Sequence, residues 1–391
     1  MNQTTPTIVL TGGGSGGHIT PLLSLAHELK SQAPNCRIVY IGHKGDNFDS
    51  LKKRAGDFDF MVFINAGKYR RYHGGNWFSR LFDLPTLILN IRDFFRLPGS
   101  VFNAYRALAK FQPDVVFSKG SFVAVPVGLA ARLRRVPVIT HDSDSMPGLA
   151  NRLIGRWATV HATGMPAKYY DYPTSSTEYV GIPVNSAIQK ITPKLQKQAK
   201  HHLKIPEDAQ VLLLSGGGNG SRHLNELLIS ISTNLLETNL ALHIIHISGI
   251  LHEDSVKRAY RQLLPKPLQK RVQTTGFSPE FYNLAAAADL IISRAGATTL
   301  AELAIAGKAC ILIPAPFLAG GHQLKNADAV AAADAGVVLD ESAQPDELLA
   351  VVNELLNDNS RRFELAKNLY GLAKPAAAAE LAKIILNTAK P

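Results

Sequence analysis

Two glycine-rich segments have the residue types of anion-binding loops. The first runs from Thr11 to His18 and the second from Gly216 to Ser221, roughly 200 residues later. Each follows an aliphatic run and precedes a helical pattern of leucines. Glycine permits positive φ angles and close approach of a ligand, and the start of a helix offers free N–H groups. The chain therefore predicts two phosphate-binding loops, each between a strand and a helix.

Three side chains near predicted strand ends are candidates for accepting a proton. His18 directly follows the first loop, and histidine titrates near pH 6.5. The alternative is that His18 only shapes the loop through hydrogen bonds. Asp142 and Asp144 lie in the polar segment 141–148, which follows a predicted strand, and both are candidate bases or hydroxyl binders. Asp and Ser also favour ordinary turns, so that alternative stays open as well.

Further polar residues follow the strands predicted after the second loop. Arg294 is placed to meet either a phosphate or a structural carboxylate. Glu302, in the first turns of the next helix, suits a ribose diol or simply stabilises the helix N-terminus. His322 and Gln323 lie beyond the following strand. An amide both donates and accepts, which suits sugar hydroxyls and helix caps alike.

Alternating strand and helix patterns predict an α/β protein in which these residues lie at the edges of two parallel sheets. A chain of 391 residues has room for two domains, and the pattern pauses at 181–185, where we place the boundary. The predicted strands of the first half are Thr7–Leu10, Arg37–Ile41, Phe60–Ile64, Asp114–Phe117, Pro137–Thr140 and Tyr179–Val180. Those of the second half are Val211–Ser215, His243–Ile247, Arg271–Thr275, Asp289–Ser293, Ala309–Ile313 and Gly336–Leu339.

Composition and charge narrow the class of partner. The net charge of +11 indicates an anionic partner, such as a nucleotide, a nucleic acid or an anionic membrane. Cys36 and Cys310 lie in strand-like runs and are expected to be buried thiols. The first strand begins almost at the N-terminus, which leaves no room for a signal peptide, and no apolar run is long enough to span a bilayer.

The segment 68–110 differs from the rest of the chain. It holds eight basic residues against two acidic ones, and nine of the 29 aromatic residues. Apolar side chains recur at helical spacing from Leu84 to Phe95. Such a helix either faces the domain core or lies in a membrane interface, where Trp77, Phe78 and Phe82 would project beside it. Nucleic-acid binding is less favoured because no nucleic-acid motif accompanies the charge.

A dinucleotide fingerprint is an alternative for the first loop. Gly12, Gly14 and Gly17 satisfy G-x-G-x-x-G, but the second strand ends without the acid that holds an NAD ribose. An NADP-dependent oxidoreductase therefore stays open. That function would leave the second loop without a role.

The motifs as a set resemble those of the MurG family, peptidoglycan N-acetylglucosaminyltransferases that convert lipid I to lipid II. The motifs are 13–18, 216–222, 294–302 and 322–327, in the order and spacing of the family. The resemblance implies a GT-B fold, with two Rossmann-like domains that face a cleft. Domain 1–184, with a returning C-terminal helix in 370–391, would take the acceptor and the membrane, and domain 185–369 would hold UDP-GlcNAc.

The resemblance also implies roles for single residues, without a metal or a cofactor. His18 and Asp144 would be catalytic. Residues at the acceptor would be Gly14, Ser15, Gly16, Gly17, His18 and Asp144. Residues at the donor would be Gly217, Gly218, Asn219, Gly220, Ser221, Phe277, Ser278, Arg294, Gly296, Ala297, Thr298, Glu302, His322 and Gln323.

The activity implied is an inverting transfer of GlcNAc to the C4 hydroxyl of MurNAc in lipid I. It would occur on the cytoplasmic face of the bacterial plasma membrane, with the protein attached peripherally through Trp77–Phe95. Rival functions are a glycosyltransferase for another lipid acceptor, such as diacylglycerol, and a non-catalytic sugar-nucleotide binder. The chain departs from the family pattern at Asp142–Asp144, Ile182, Asn185 and Gly218. At the position of Gly218 the family commonly has a serine.

Overall fold

The computed structural model describes residues 5–13, 16–44, 56–68, 84–318 and 321–389, and only the backbone of Gly16–His18 and Leu84. The chain divides into two compact units. Unit 1 comprises Met1–Asn185 and Lys374–Pro391, and unit 2 comprises Ser186–Ala373. The C-terminal segment of unit 1 begins four residues later than the predicted 370, because a helix of unit 2 extends to Gly371.

Unit 1 is a parallel α/β sheet of seven strands. Its order is β3-β2-β1-β4-β5-β6-β7. The strands are β1 Thr7–Thr11, β2 Arg37–His43, β3 Phe60–Ile64, β4 Val115–Ser118, β5 Val138–Asp142, β6 Val160–Thr163 and β7 Thr177–Tyr179. The helices are α1 Gly16–Gln32, α2 Leu84–Phe111, α3 Ala124–Leu133, α4 Leu149–Ile154 and, from the C-terminal segment, the last helix Ala377–Thr388.

Helices cover both faces of this sheet, as the continuous apolar strands require. Ile8 and Leu10 of β1 pack on one face with α1 and with Leu381 and Ile385 of the last helix. Val9 points to the other face, which α2 and α3 cover. The alternation of side chains along β1 thus divides one apolar run between two cores.

One strand of unit 1, β6, was not predicted from the sequence. β6 contains His161 and Thr163, which interrupt any aliphatic pattern, yet both are buried. Burial is possible because each side chain has a hydrogen-bond partner: His161 meets Thr140 Oγ1 at 3.2 Å, and Thr163 Oγ1 donates to the Met165 carbonyl at 2.9 Å. The last strand also lies at Thr177–Tyr179 rather than at Tyr179–Val180.

Unit 2 repeats the architecture with six parallel strands in the order β10-β9-β8-β11-β12-β13. The strands are β8 Gln210–Ser215, β9 Leu242–Ile247, β10 Val272–Thr275, β11 Leu290–Ser293, β12 Cys310–Leu312 and β13 Val337–Val338. The helices are α5 Pro193–His202, α6 Arg222–Thr238, α7 Glu253–Leu263, α8 Lys266–Gln269, α9 Phe281–Ala287, α10 Ala297–Ala306, α11 His322–Ala332, α12 Pro345–Asn357 and α13 Asn359–Gly371; the last helix of the chain, in unit 1, is α14.

The two sheets confirm the predicted α/β class with two Rossmann-like parallel sheets. Leu212 and Leu214 of β8 pack in one core of unit 2, and Val211 and Leu213 pack in the core on the opposite face. All of the predicted strands in unit 2 are present, with bounds that differ by a few residues at most. Cys36 and Cys310 are buried free thiols, as expected.

Candidate active site

The carboxyl edge of the unit 1 sheet gathers residues from three neighbouring strands. β1 and β4 are adjacent, and the chain leaves them toward opposite sides of the sheet, which makes this edge a topological switch point. Thr11 lies beside Ser118 in the register of β1 and β4, and the Lys119 N–H donates to the Thr11 carbonyl at 2.9 Å. Ligands of open parallel sheets bind at such edges.

The first glycine loop begins at this switch point. The Tyr40 hydroxyl donates to the Gly12 carbonyl at 2.7 Å and fixes the start of the loop. Gly14 and Ser15 lie outside the described residues. Helix α1 begins at Gly16, so His18 is in its first turn, but its side chain is likewise outside the described part.

Asp142 is the last residue of β5, and its side chain is held firmly where the chain turns through Ser143 and Asp144. Its carboxylate accepts hydrogen bonds from the Gly148 N–H at 3.1 Å, Asn151 Nδ2 at 3.0 Å and the Tyr172 hydroxyl at 2.8 Å. Burial raises the pKa of Asp142, and these donors oppose that rise. Asp142 is therefore a structural anchor, and Asp144 is the partly buried carboxylate of the turn.

The second glycine loop connects β8 to α6, and two of its glycines have positive φ angles. Gly217 has φ of 84° and Gly220 has φ of 75°. A Cβ on Gly220 would come within 2.2 Å of the Ser248 carbonyl oxygen. Ser221 caps α6 by accepting a hydrogen bond from the Leu224 N–H at 3.4 Å. The loop thus presents backbone groups and the N-terminus of a 17-residue helix.

Gly218 is not among the glycines with positive φ, and a Cβ there would have no heavy atom within 4 Å. We expect Gly218→Ser, which restores the residue common in the family pattern, to fold like the wild type. If its hydroxyl reaches the donor, calorimetry should show UDP-GlcNAc binding about two- to tenfold tighter. The matched change Gly220→Ser should instead lower the unfolding temperature, because of its φ and its contact with Ser248. Equal effects of the two changes would contradict this description of the loop.

Arg294 is buried at the switch point of the unit 2 sheet, between the ends of β8 and β11. Its guanidinium pairs with the Glu341 carboxylate, with one of the two contacts at 2.9 Å. It also donates to Ser221 Oγ at 2.8 Å and to the Ile313 carbonyl at 2.9 Å. The sequence left open whether Arg294 meets a phosphate or a structural carboxylate. The structure shows that it pairs with a carboxylate, that of Glu341. Arg294 connects the second glycine loop to two other strand ends.

Glu302 lies on α10 and lines a cavity of about 260 Å³ within unit 2. Apolar side chains such as Ile191 and Phe281 form much of its wall, and His202 adds a polar group. Burial raises the pKa of Glu302 to about 7. The carboxyl group is therefore close to half ionised at neutral pH, and a small change in its surroundings will change its charge.

Gln323, in the first turn of α11, and Phe277, after β10, are two further predicted donor residues of unit 2. The buried Gln323 side chain accepts a hydrogen bond from the Ala315 N–H at 3.0 Å through Oε1, which holds the segment after β12. Its Nε2 lies about 4 Å from the position of a Cβ on Gly296, at the start of α10. Phe277 is about half exposed after β10. Ser278 Oγ accepts a hydrogen bond from the Glu280 N–H at 3.2 Å.

Most of the predicted donor residues follow strand ends of one sheet, whereas Glu302 lines a cavity whose wall residues include none of the other predicted donor residues. Contacts join Arg294 with Ser221 and bring Gln323 near Gly296. Ala297 and Thr298 begin α10, and His322 begins α11. Sequence reasoning missed Glu341, which follows β13 in a turn with no distinctive motif.

Helix α2 of unit 1 exposes the apolar stripe identified in the sequence. Phe94 and Phe95 are 70% and 75% exposed, and Ile88 and Ile91 also face outward. The buried side of this part of the helix is polar and includes Asp93, which accepts hydrogen bonds from Arg92 and Arg96. The core interpretation is thus wrong for these side chains. Trp77, Phe78 and Phe82 lie outside the described residues.

Two protein-family models match the chain. The model for the glycosyltransferase family 28 N-terminal domain matches residues 8–163, and that for the C-terminal domain of the same family matches residues 211–383. A transferase of Natranaerobius thermophilus is 30% identical over 97% of this chain and 98% of its own length. It is named UDP-N-acetylglucosamine–N-acetylmuramyl-(pentapeptide) pyrophosphoryl-undecaprenol N-acetylglucosamine transferase. The chain belongs to the MurG family.

Other members of the MurG family match equally fully. The transferase of the same name from Halothermothrix orenii is 32% identical over 98% of this chain and 99% of its own length. The crystal structure of Acinetobacter baumannii MurG is 24% identical, with a TM-score of 0.71 over 98% of this chain and 99% of that one. This structural similarity supports the two-unit MurG fold. Among the described residues, no helix is both long and apolar enough to cross a membrane.

Proposed function

We propose that this chain transfers GlcNAc from UDP-GlcNAc to the C4 hydroxyl of MurNAc in lipid I, giving lipid II for peptidoglycan synthesis. The observation that carries the proposal is the match to transferases of that name over 97% of the chain. The relatives have about the same length as this chain and share its fold. These similarities support an activity that uses both units. No comparable observation favours diacylglycerol or NADP.

Unit 2 is proposed to bind the donor at the switch point of its sheet. Backbone N–H groups of 217–221 and the N-termini of α6 and α10 would face the diphosphate. Arg294 would act mainly through Ser221, because its charge is already paired with Glu341. Phe277 and Ser278 would lie near the uracil, and His322 and Gln323 near the GlcNAc hydroxyls.

Unit 1 is proposed to hold the acceptor at its own switch point. The oxygen of the acceptor C4 hydroxyl forms a bond to the anomeric carbon, and the bond from that carbon to the UDP oxygen breaks. The hydroxyl proton passes to His18, with Asp144 as the second candidate base. The leaving group UDP carries away the electron pair of the broken bond, and the donor loop of unit 2 stabilises its charge.

Glu302 provides a pH test of the donor site. We propose that its carboxylate accepts hydrogen bonds from the ribose diol, so the ionised form binds donor better. With a pKa of about 7, the ionised fraction rises about tenfold between pH 6 and pH 8, and UDP-GlcNAc affinity should rise by about the same factor. Calorimetry with UDP-GlcNAc, rather than UDP, avoids titration of a terminal phosphate.

Two variants separate Glu302 from other titrating groups. Glu302→Gln should bind more weakly and show little change in affinity between pH 6 and pH 8. His202→Gln removes a histidine from the cavity wall, and this variant should retain the tenfold change in affinity. A wild-type affinity that does not vary with pH, or a Glu302→Gln variant that retains the variation, would contradict the ribose assignment.

Helix α2 supports attachment of unit 1 to an anionic membrane. Its exposed face combines Phe94, Phe95 and Phe102 with the partly exposed cations Arg92 and Arg96. Apolar side chains flanked by cations suit the boundary between acyl chains and anionic headgroups. The acceptor is a membrane lipid, so we propose that this surface brings unit 1 to it on the cytoplasmic face.

Replacing both phenylalanines, Phe94→Glu/Phe95→Glu, should weaken binding to vesicles that contain phosphatidylglycerol by more than about tenfold. The reason is loss of apolar insertion and repulsion between carboxylates and headgroups. Phe363→Glu is the matched control, because Phe363 is 73% exposed in unit 2 and has no proposed membrane role. Cosedimentation at two salt concentrations measures both effects. Equal binding by the double variant and the wild type would reject this surface.

An acceptor panel tests the proposed function as a whole. The wild type is assayed with UDP-GlcNAc and UDP-glucose against a short-chain lipid I analogue and diacylglycerol. We expect transfer with UDP-GlcNAc and the lipid I analogue. Preferential transfer to diacylglycerol would show that the proposed acceptor is wrong. Donor binding without turnover on any acceptor would show that the protein binds the sugar nucleotide but is not an enzyme.

A further inference from the structure

Lys119 is a buried cation at the switch point of unit 1. It directly follows β4, and its backbone N–H is held by the last residue of β1. The residue is only 3% exposed. A lysine is almost never this buried unless its ammonium group has partners, because removing the charge from water is costly.

The partner of the ammonium is the turn after β5. Lys119 Nζ donates to Ser143 Oγ at 2.7 Å, and Ser143 is the residue between Asp142 and Asp144. Both carboxylates are close enough to favour the charged form of the lysine. The side chain therefore connects the end of β4 to the centre of this turn.

Other elements fix the same turn from different directions. Asn151 of α4 and Tyr172 bond the Asp142 carboxylate, and the Tyr170 hydroxyl donates to the Asp144 carbonyl at 2.7 Å. These contacts hold the two ends of the turn. The bond from Lys119 holds Ser143 in its middle, on the side of β4.

We propose that Lys119 is a positioning residue for transfer, which holds the turn of Asp142, Ser143 and Asp144 in the conformation that presents Asp144 to the acceptor. This inference rests on the function proposed above and adds a residue on the acceptor side. It also gives a physical role to the chain's departure from the family pattern at Ser143. A small displacement of a reacting group costs up to about a hundredfold in rate.

The charge of Lys119 makes the arrangement sensitive to alkaline pH. Burial lowers the pKa of Lys119 to about 8, although Asp142 and Asp144 oppose that change. His141 is also near, and burial with the lysine charge lowers its pKa to about 3, so it stays neutral. Burial raises the pKa values of Tyr170 and Tyr172 above their ordinary range, so neither loses its proton near pH 8. Above pH 8 the lysine loses the charge that the two carboxylates favour.

The test uses the full chain with Lys119→Met, Ser143→Ala and the double variant. We expect Lys119→Met to lower kcat with the lipid I analogue by about ten- to a hundredfold, with the Kd of UDP-GlcNAc unchanged. Ser143→Ala should add little in the double variant, because both changes remove the same bond. Between pH 7 and pH 9 the turnover of the wild type should fall, because Lys119 loses its charge. The turnover of Lys119→Met should not fall over this range, because the variant has no lysine charge to lose.

Lys308→Met is the matched control. Lys308 is buried in unit 2, where its ammonium donates to the Ala286 and Ala288 carbonyls, and burial lowers its pKa to about 8 as well. This variant should keep the alkaline loss of turnover. Wild-type kcat in Lys119→Met, additive effects in the double variant, or loss of the alkaline change in Lys308→Met would each overturn the proposal.

Deuterium exchange separates this inference from the proposed function. Peptides that cover 142–148 should exchange faster in Lys119→Met than in the wild type, while peptides from α3 and β1 should not change. If the wild type transfers no GlcNAc, the proposed function fails, and exchange alone decides whether Lys119 orders the turn. Unchanged exchange over 142–148 would overturn the inference even in an active transferase.

Discussion

Replacing His18 with glutamine should lower the rate of GlcNAc transfer by about 10²- to 10⁴-fold, the usual contribution of a positioned base. The affinity for UDP-GlcNAc should stay within about twofold of the wild type, because the donor is assigned to unit 2. Glutamine keeps a polar side chain of similar length in the first turn of α1 but cannot accept the proton. Single-turnover rates with the lipid I analogue, together with calorimetry, measure the two quantities separately.

Asp144→Asn is the companion variant, since Asp144 is the second candidate base. If His18 takes the proton, this variant should lose less turnover than His18→Gln. A greater loss of turnover in Asp144→Asn than in His18→Gln would instead assign the role of base to Asp144. Near-normal turnover in His18→Gln would remove the histidine from the chemistry, and parallel loss of donor affinity would indicate a wider structural effect.

Glu341→Ala should destabilise unit 2 by about 3 kcal/mol, because it leaves the buried Arg294 guanidinium without its carboxylate. The same change should weaken UDP-GlcNAc binding, since Arg294 holds Ser221 at the end of the second glycine loop. The chain has two tryptophans, at positions 77 and 157, and neither falls within Ser186–Ala373. Unfolding of unit 2 is therefore best followed by hydrogen exchange of β8 and β11 in urea, not by tryptophan fluorescence.

Two comparisons show whether pairing is the cause. Arg294→Met/Glu341→Leu removes both charges and should recover most of the lost stability, because an apolar pair can replace a buried ion pair. It should not recover donor affinity, because replacing Arg294 removes the hydrogen bond that it donates to Ser221. Asp334→Asn breaks the exposed pair with Arg361 and should change stability little. A Glu341→Ala variant as stable as the wild type would contradict the structural role of the pair.

The sheets were predictable because β-branched and aliphatic runs between helical patterns have few other uses in a chain of this composition. β6 was not predictable, since the burial of His161 depends on a hydrogen-bond partner, Thr140, that lies 21 residues away in sequence. The second glycine loop was found because its backbone requires glycine: Gly217 and Gly220 have positive φ, and Gly220 also lies close to the backbone of Ser248.

No pattern in the sequence indicates the charged partners of the site in this way. Glu341 and Arg294 are 47 residues apart, and Lys119 and Ser143 are 24 apart, with no spacing rule to connect them. Helix α2 shows the same limit in another form. Its periodicity revealed an apolar stripe, but only the packed structure shows that Asp93 is buried while Phe94 and Phe95 face outward.

The central claim is that this chain joins GlcNAc to lipid I with inversion at the anomeric carbon. The most direct measurement is the product formed from labelled UDP-GlcNAc and a short-chain lipid I analogue, with its linkage determined by NMR. The account predicts one new β-linked GlcNAc at C4 of MurNAc and one UDP released for each transfer. No labelled lipid product, or an α-linked sugar, would contradict it.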